Sequence, residues 1–81
     1  MPTCRIKVFN PNPYDVNVKT GDSSTGSPSS SSLVRAGKTE SFGFTQGKWL
    51  FYDRTTKNRK AFLSGQIQFD NQIFTIPQVP D

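Results

Sequence analysis

Cys4, Ile6 and Val8 alternate with Arg5, Lys7 and Phe9, and Tyr14, Val16 and Val18 alternate with Asp15, Asn17 and Lys19. A period of two sends successive side chains to opposite faces of a sheet, so both runs read as half-buried strands. Between them Asn10-Pro11-Asn12-Pro13 forces a reversal, because each proline fixes its own φ and moves its predecessor out of the helical region. Farther on, Leu33 to Arg35 reads as a short strand, Ala36-Gly37 as a turn, and Lys38 to Phe44 as a strand with Glu40, Phe42 and Phe44 on one face. Lys48-Trp49-Leu50-Phe51-Tyr52 is apolar on both faces after the lysine, the pattern of a central strand covered on both sides. Ala61 to Leu63 follows, broken at Ser64-Gly65. Gln66 to Phe69 and Gln72 to Ile76 flank Asp70-Asn71, which reads as a hairpin closed by a type I′ turn and stopped by Pro77 and Pro80.

No window carries apolar residues at helical spacing, and β-branched or aromatic residues dominate the ordered runs. The pattern therefore predicts an all-β domain: a small antiparallel β-sandwich or partly closed barrel of seven or eight short strands, with no helix. One domain spans 1–81, with a flexible Ser-rich loop at 21–32 and a short tail at 77–81. The expected core is Ile6, Val8, Val16, Val18, Phe42, Phe44, Trp49, Phe51, Ile67, Phe69, Ile73 and Ile76, and Cys4 is expected to be buried and inert.

Composition narrows the chemistry. The apolar share is 32% of 81 residues, so the core is thin. Histidine is absent, which removes the commonest general base, Ser-His-Asp and Cys-His arrangements, and imidazole metal sites. A single cysteine allows neither an internal disulfide nor a multi-cysteine zinc site, and points to a reducing compartment. Asp15, Asp22, Glu40, Asp53, Asp70 and Asp81 are scattered singly, and Asp53 and Asp70 read as turn residues. Gly21 and Gly26 have phosphate-loop spacing, but Ser27-Pro28 stands where Lys-Ser/Thr is needed, so that match is accidental. The chain is thus expected to be non-enzymatic, without catalytic residues, cofactor or metal. The first twenty residues hold no apolar run, so neither a signal peptide nor a membrane span is expected and the location reads as cytoplasmic, with non-classical export left open.

Net charge is +4, a bias toward polyanions rather than an identity. Lys48, Arg54, Lys57, Arg59 and Lys60 cluster beside Trp49, Phe51 and Tyr52, so Lys48, Trp49, Arg54, Lys57, Arg59 and Lys60 form the candidate ligand-binding set. Cations there would follow phosphates while an aromatic face stacked on bases; the competing reading is a solvated loop tip beside a core strand. A further candidate is an outer apolar patch around Phe9 with Leu50 or Tyr52. Exposed strand edges offer backbone pairing to another chain, and homodimerisation by that route is equally allowed.

Gly47-Lys48-Trp49-Leu50-Phe51-Tyr52-Asp53, followed by Thr56, resembles the Gly, Trp-Leu-Phe and Asp pattern in the β domain of von Hippel-Lindau proteins. The order upstream is similar: a strand from Ile6 ending in Asn10, a turn with Pro11 and Pro13, a strand with Val16 and Val18, then Ala36-Gly37. The resemblance implies an all-β, non-enzymatic binder of peptides added along a sheet, with Trp49 the clear counterpart of a pocket residue. The pocket histidine is absent, one residue is missing between the glycine and the tryptophan, and no elongin-binding helical domain follows, so the ubiquitin-ligase role is not carried over. Protein or peptide interaction through a sheet edge or apolar face leads; single-stranded nucleic-acid binding is the alternative.

Overall fold

In the computed structural model, which describes residues 2–26, 28–54 and 61–79, alternation builds the first strand as expected. β1 (Thr3–Phe9) buries Cys4, Ile6 and Val8 and exposes Arg5, Lys7 and Phe9. β2 (Val16–Gly21), β3 (Ser29–Val34), β4 (Thr39–Thr45), β5 (Trp49–Arg54), β6 (Phe62–Gln66) and β7 (Gln72–Thr75) complete the fold. Two sheets form, ordered β4-β1-β7 and β3-β2-β5-β6, and no helix occurs among the described residues. The smallest molecular extent, 17 Å between Cα atoms, fits two sheets packed face to face.

The core lies between the sheets. Cys4, Ile6, Val8, Val16, Val18, Val34, Leu50, Tyr52, Ile67, Phe74, Ile76 and Val79 form one buried cluster, with Tyr14, Phe42, Phe44 and Phe62 packed at its margin. Phe42 stacks on Phe44 with ring centroids 5.5 Å apart, and Tyr52 on Phe62 at 5.8 Å. β5 is central, as its doubly apolar sequence predicts: Leu50 and Tyr52 face the core, while Phe51 is buried on the opposite face. Trp49 shares that opposite face and is only half-buried, so it stands outside the core expected for it.

The C-terminal half departs from the sequence pattern. The predicted hairpin of Gln66 to Phe69 with Gln72 to Ile76 does not form, because β6 pairs with β5 in one sheet and β7 pairs in parallel with β1 in the other. Of Asp70 and Asn71 only Asn71 takes a positive φ, 65°, whereas a type I′ turn needs both central residues there. Ile67 leaves the β6 strand to exchange backbone hydrogen bonds with Gly47 and Lys48, and the Gln72 side chain bridges the crossing by accepting from Gln68 N–H and donating to Gln66 O. Phe69 and Ile73, expected inside, are therefore exposed at 56% and 69%, while Phe74 takes the buried phase. Phe74 fits because Gly65 has no side chain: a Cβ there would stand 3.2 Å from the phenyl ring.

Two further expectations are corrected, and the short tail is seen to be anchored. The Ser-rich stretch is not loop throughout, since Ser29 to Ser32 enter β3 and pair with β2, where backbone hydrogen bonds compensate for weak side-chain packing. The tail is anchored: Val79 is buried, its N–H donates to the Tyr14 hydroxyl at 2.8 Å, and Pro77 O accepts from Asn12 Nδ2 at 3.1 Å. Asp70 lies in a turn as expected, whereas Asp53 does not. Asp53 lies buried in β5, and the Asp70 carboxylate accepts the Arg5 backbone N–H at 3.0 Å, extending the β7 side of β1.

Asn10, fully buried where β1 ends, ties these segments together. Its Nδ2 donates to Tyr14 O at 2.8 Å and Val34 O at 3.1 Å, and its Oδ1 accepts from Asn12 N and Nδ2 at 3.1 and 3.0 Å. Its backbone N–H donates to Lys38 O, and its carbonyl accepts from Gly37, whose φ of +72° closes the turn before β4. Replacing the side chain strands buried carbonyls of two segments. Asn10→Ala is expected to cost about 3 kcal/mol or more in urea unfolding; a loss below about 1 kcal/mol would contradict this role.

Burial raises the Tyr52 phenol above its ordinary pKa of 10.0. Below that value both folded and unfolded chains hold the proton, so stability is unaffected; above it the unfolded chain ionises first, and stability falls as pH rises toward the folded value. Tyr52→Phe is expected to flatten this alkaline loss while leaving neutral stability nearly unchanged, as read from thermal midpoints across the alkaline range.

Candidate functional site

The residues singled out around the basic loop do not converge among the described positions. Lys48 precedes β5 and forms an ion pair with Asp22. Arg54 ends β5 with its guanidinium 3.8 Å above the centre of the Tyr14 ring. Five residue steps of extended chain, about 16 Å, separate Trp49 from Arg54, and alternation puts them on opposite faces of the sheet. Lys57, Arg59 and Lys60 lie outside the described residues. The expected apolar patch of Phe9 with Leu50 or Tyr52 does not exist, because Leu50 and Tyr52 turn into the core and leave Phe9, 37% exposed, on the outer face of the other sheet.

Edges offer a different candidate. Four strands border the sheets, and three carry features that discourage a further strand. β3 follows Pro28 and has a register shift against β2; β6 has five residues and a register shift against β5; β7 has four residues and runs out at Pro77. β4 has seven residues, no proline, and an unbroken register with β1 from Thr3 opposite Thr45 to Phe9 opposite Thr39.

The ladder fixes which groups of β4 are open. Asn10 N–H donates to Lys38 O at 2.9 Å and Gln46 N–H to Pro2 O at 2.8 Å, so even-numbered residues between them point their backbone groups at β1. On its other side β1 uses odd positions, with Arg5 O and Phe9 O accepting from Asn71 and Ile76. Thr39, Ser41, Gly43 and Thr45 consequently direct their N–H and C=O groups away from the sheet. Of these, Thr45 O accepts Lys48 N–H in the turn; the others have no protein partner among the described residues. Phe42 and Phe44 stand half-buried on the inner face of the same edge, and Thr39, Ser41 and Gly43 are exposed. Any extended backbone laid along β4 meets donors and acceptors in ladder spacing, with two aromatic rings left to cover.

Comparison with family models, curated proteins and solved structures returned no match, so the functional reading rests on this geometry. Among the described residues no group of three or more His, Cys, Asp or Glu is placed to hold a metal ion, and no helix is long and apolar enough to cross a membrane. The sequence reading named sheet edges as a class without reaching Ser41 or Gly43, whose contribution is backbone and whose side chains carry no chemical signal.

The outer face of β5 holds one buried charge. Asp53 is 4% exposed at its side chain and meets Lys19 Nζ at 2.8 Å, while Lys19, 27% exposed, keeps a path to water. Removal is therefore asymmetric: Lys19→Met leaves a buried carboxylate unpaired and is expected to cost about 3 kcal/mol, against about 1 kcal/mol for Asp53→Asn, whose residual ammonium reaches solvent. Equal losses in denaturant unfolding of the two variants would contradict this ordering.

Proposed function

We propose that this chain is a non-enzymatic binding module that accepts an extended protein segment as an added strand along β4. The observation that supports it is the contrast among edges: β4 alone is long, unbroken in register and free of proline. Main-chain hydrogen bonds to Ser41 and Gly43 supply affinity that is tolerant of sequence, and packing over Phe42 and Phe44 supplies preference for apolar side chains at alternate positions. No basic surface and no catalytic group takes part.

Proline distinguishes the two sides of this strand. Ser41→Pro removes an N–H directed outward and leaves the β1 ladder intact, whereas Phe42→Pro removes a ladder donor and is expected to unfold the domain. Linear peptides selected from a displayed library against the wild-type chain are expected to shift the amides of residues 39–45 and to bind Ser41→Pro at least about tenfold more weakly. Absence of any selected peptide, or peptides indifferent to Ser41→Pro, would overturn the reading. Single-stranded DNA shifting residues 48–54 in a manner that fades between about 50 and 200 mM salt would support the nucleic-acid alternative in its place.

A further inference from the structure

Resting on the β4 reading, we infer that the strand added to β4 is the β4 of a second copy of this chain, joined antiparallel about a two-fold axis at Gly43. An isologous edge contact requires the strand to complement itself, and the open groups on β4 restrict the registers that can do so. Only the odd-numbered positions point outward, so hydrogen-bonded pairs must join odd residue to odd residue. Centred on Gly43, the pairing sets Ser41 against Thr45 of the second copy, Gly43 against Gly43, and Thr45 against Ser41; Thr45 O, which already accepts Lys48 N–H, takes Ser41 N–H of the second copy as a second donor on its other lone pair.

The side chains favour this register over its neighbour. On the inner face Phe42 stands opposite Phe44 of the other copy, which joins two stacked pairs, each at 5.5 Å, into one four-ring cluster over the open margin of the core. Glu40, the one charge within β4, stands opposite position 46, past the end of the strand, rather than opposite another charge or an aromatic ring; the Gln46 amide there already donates to Gln68 O. Shifting the axis to Phe42 would set Glu40 against Phe44, a carboxylate against a phenyl ring. On the outer face Gly43 presents no side chain at the axis; a Cβ there would stand a tight 3.3 Å from the Thr3 methyl, which would have to shift by a few tenths of an ångström. The two backbones approach without obstruction, and a continuous sheet β7-β1-β4-β4-β1-β7 results, removing the open edge from both copies.

Sedimentation equilibrium across a concentration series tests the association, and an isotope-mixed sample tests its register. The expected result is a concentration-dependent dimer in which Phe42 Hα of one copy gives a nuclear Overhauser contact to Phe44 Hα of the other, a contact that alternate residues of a single extended strand are too far apart to make. Ser41→Pro is expected to weaken the dimer by about tenfold or more. Gly43→Lys, which keeps every outward N–H but sets two ammonium groups across the axis, is expected to weaken it in a manner relieved by salt. A monomer at all concentrations that still takes a selected peptide on residues 39–45 would overturn the self-association and keep the edge reading; a monomer that takes none would overturn both. A dimer indifferent to both variants, or one joining Phe42 to Phe42, would overturn the register and with it this inference.

Discussion

The buried side chain of Asn10 is the constraint on which the arrangement of both sheets depends. An amide in an apolar interior is costly unless its two N–H groups and both oxygen lone pairs are satisfied, and here each has a partner. Those partners belong to segments far apart in sequence: the turn leading to β2 and the last residue of β3, with Asn12 passing the connection on to Pro77. The backbone of Asn10 also holds Gly37 and Lys38. One residue thus sets where β2 begins, where β3 ends and where β4 starts relative to β1.

Because β1 is the middle strand of its sheet, that placement governs both sides of it. Even positions of β1 are committed to β4 and odd positions to β7, so the phase of β4 is fixed once Lys38 is held. The same phase that buries Cys4, Ile6 and Val8 turns Phe42 and Phe44 toward the core margin and leaves the backbone of Ser41 and Gly43 facing outward. The open edge is thus a consequence of how the core is closed. A thin core heightens this effect, since each sheet has few strands and a large fraction of its backbone lies at a border.

Much of the architecture was legible from alternation. β1, β2 and the central position of β5 follow from runs in which period-two burial, turn residues and β propensity agree. The errors fell where local signals were ambiguous or long-range pairing prevailed. Asp70-Asn71 has hairpin chemistry, yet Asn71 N–H and the Asp70 carboxylate are drawn to Arg5, which pulls β7 into the other sheet. The serines of β3 lack apolar contrast and still form a strand because β2 offers a ladder beside them. The candidate site was legible only as a class, since backbone groups of every residue look alike in a sequence.

The sequence by itself determined an all-β chain, most of its strands, the inward faces of β1 and β2, and the absence of histidine-based chemistry, because those follow from side-chain identity and local periodicity. Tertiary structure alone decided which strands are neighbours, that β1 and β7 run parallel, that Asp53 is buried against Lys19, and that β4 is the long edge with an unbroken register. The physical reason is that a strand's hydrogen-bonding groups lie in the plane of the sheet, perpendicular to its side chains. The pattern of apolar residues specifies which face of a strand is buried and carries no direct record of which strand stands beside it.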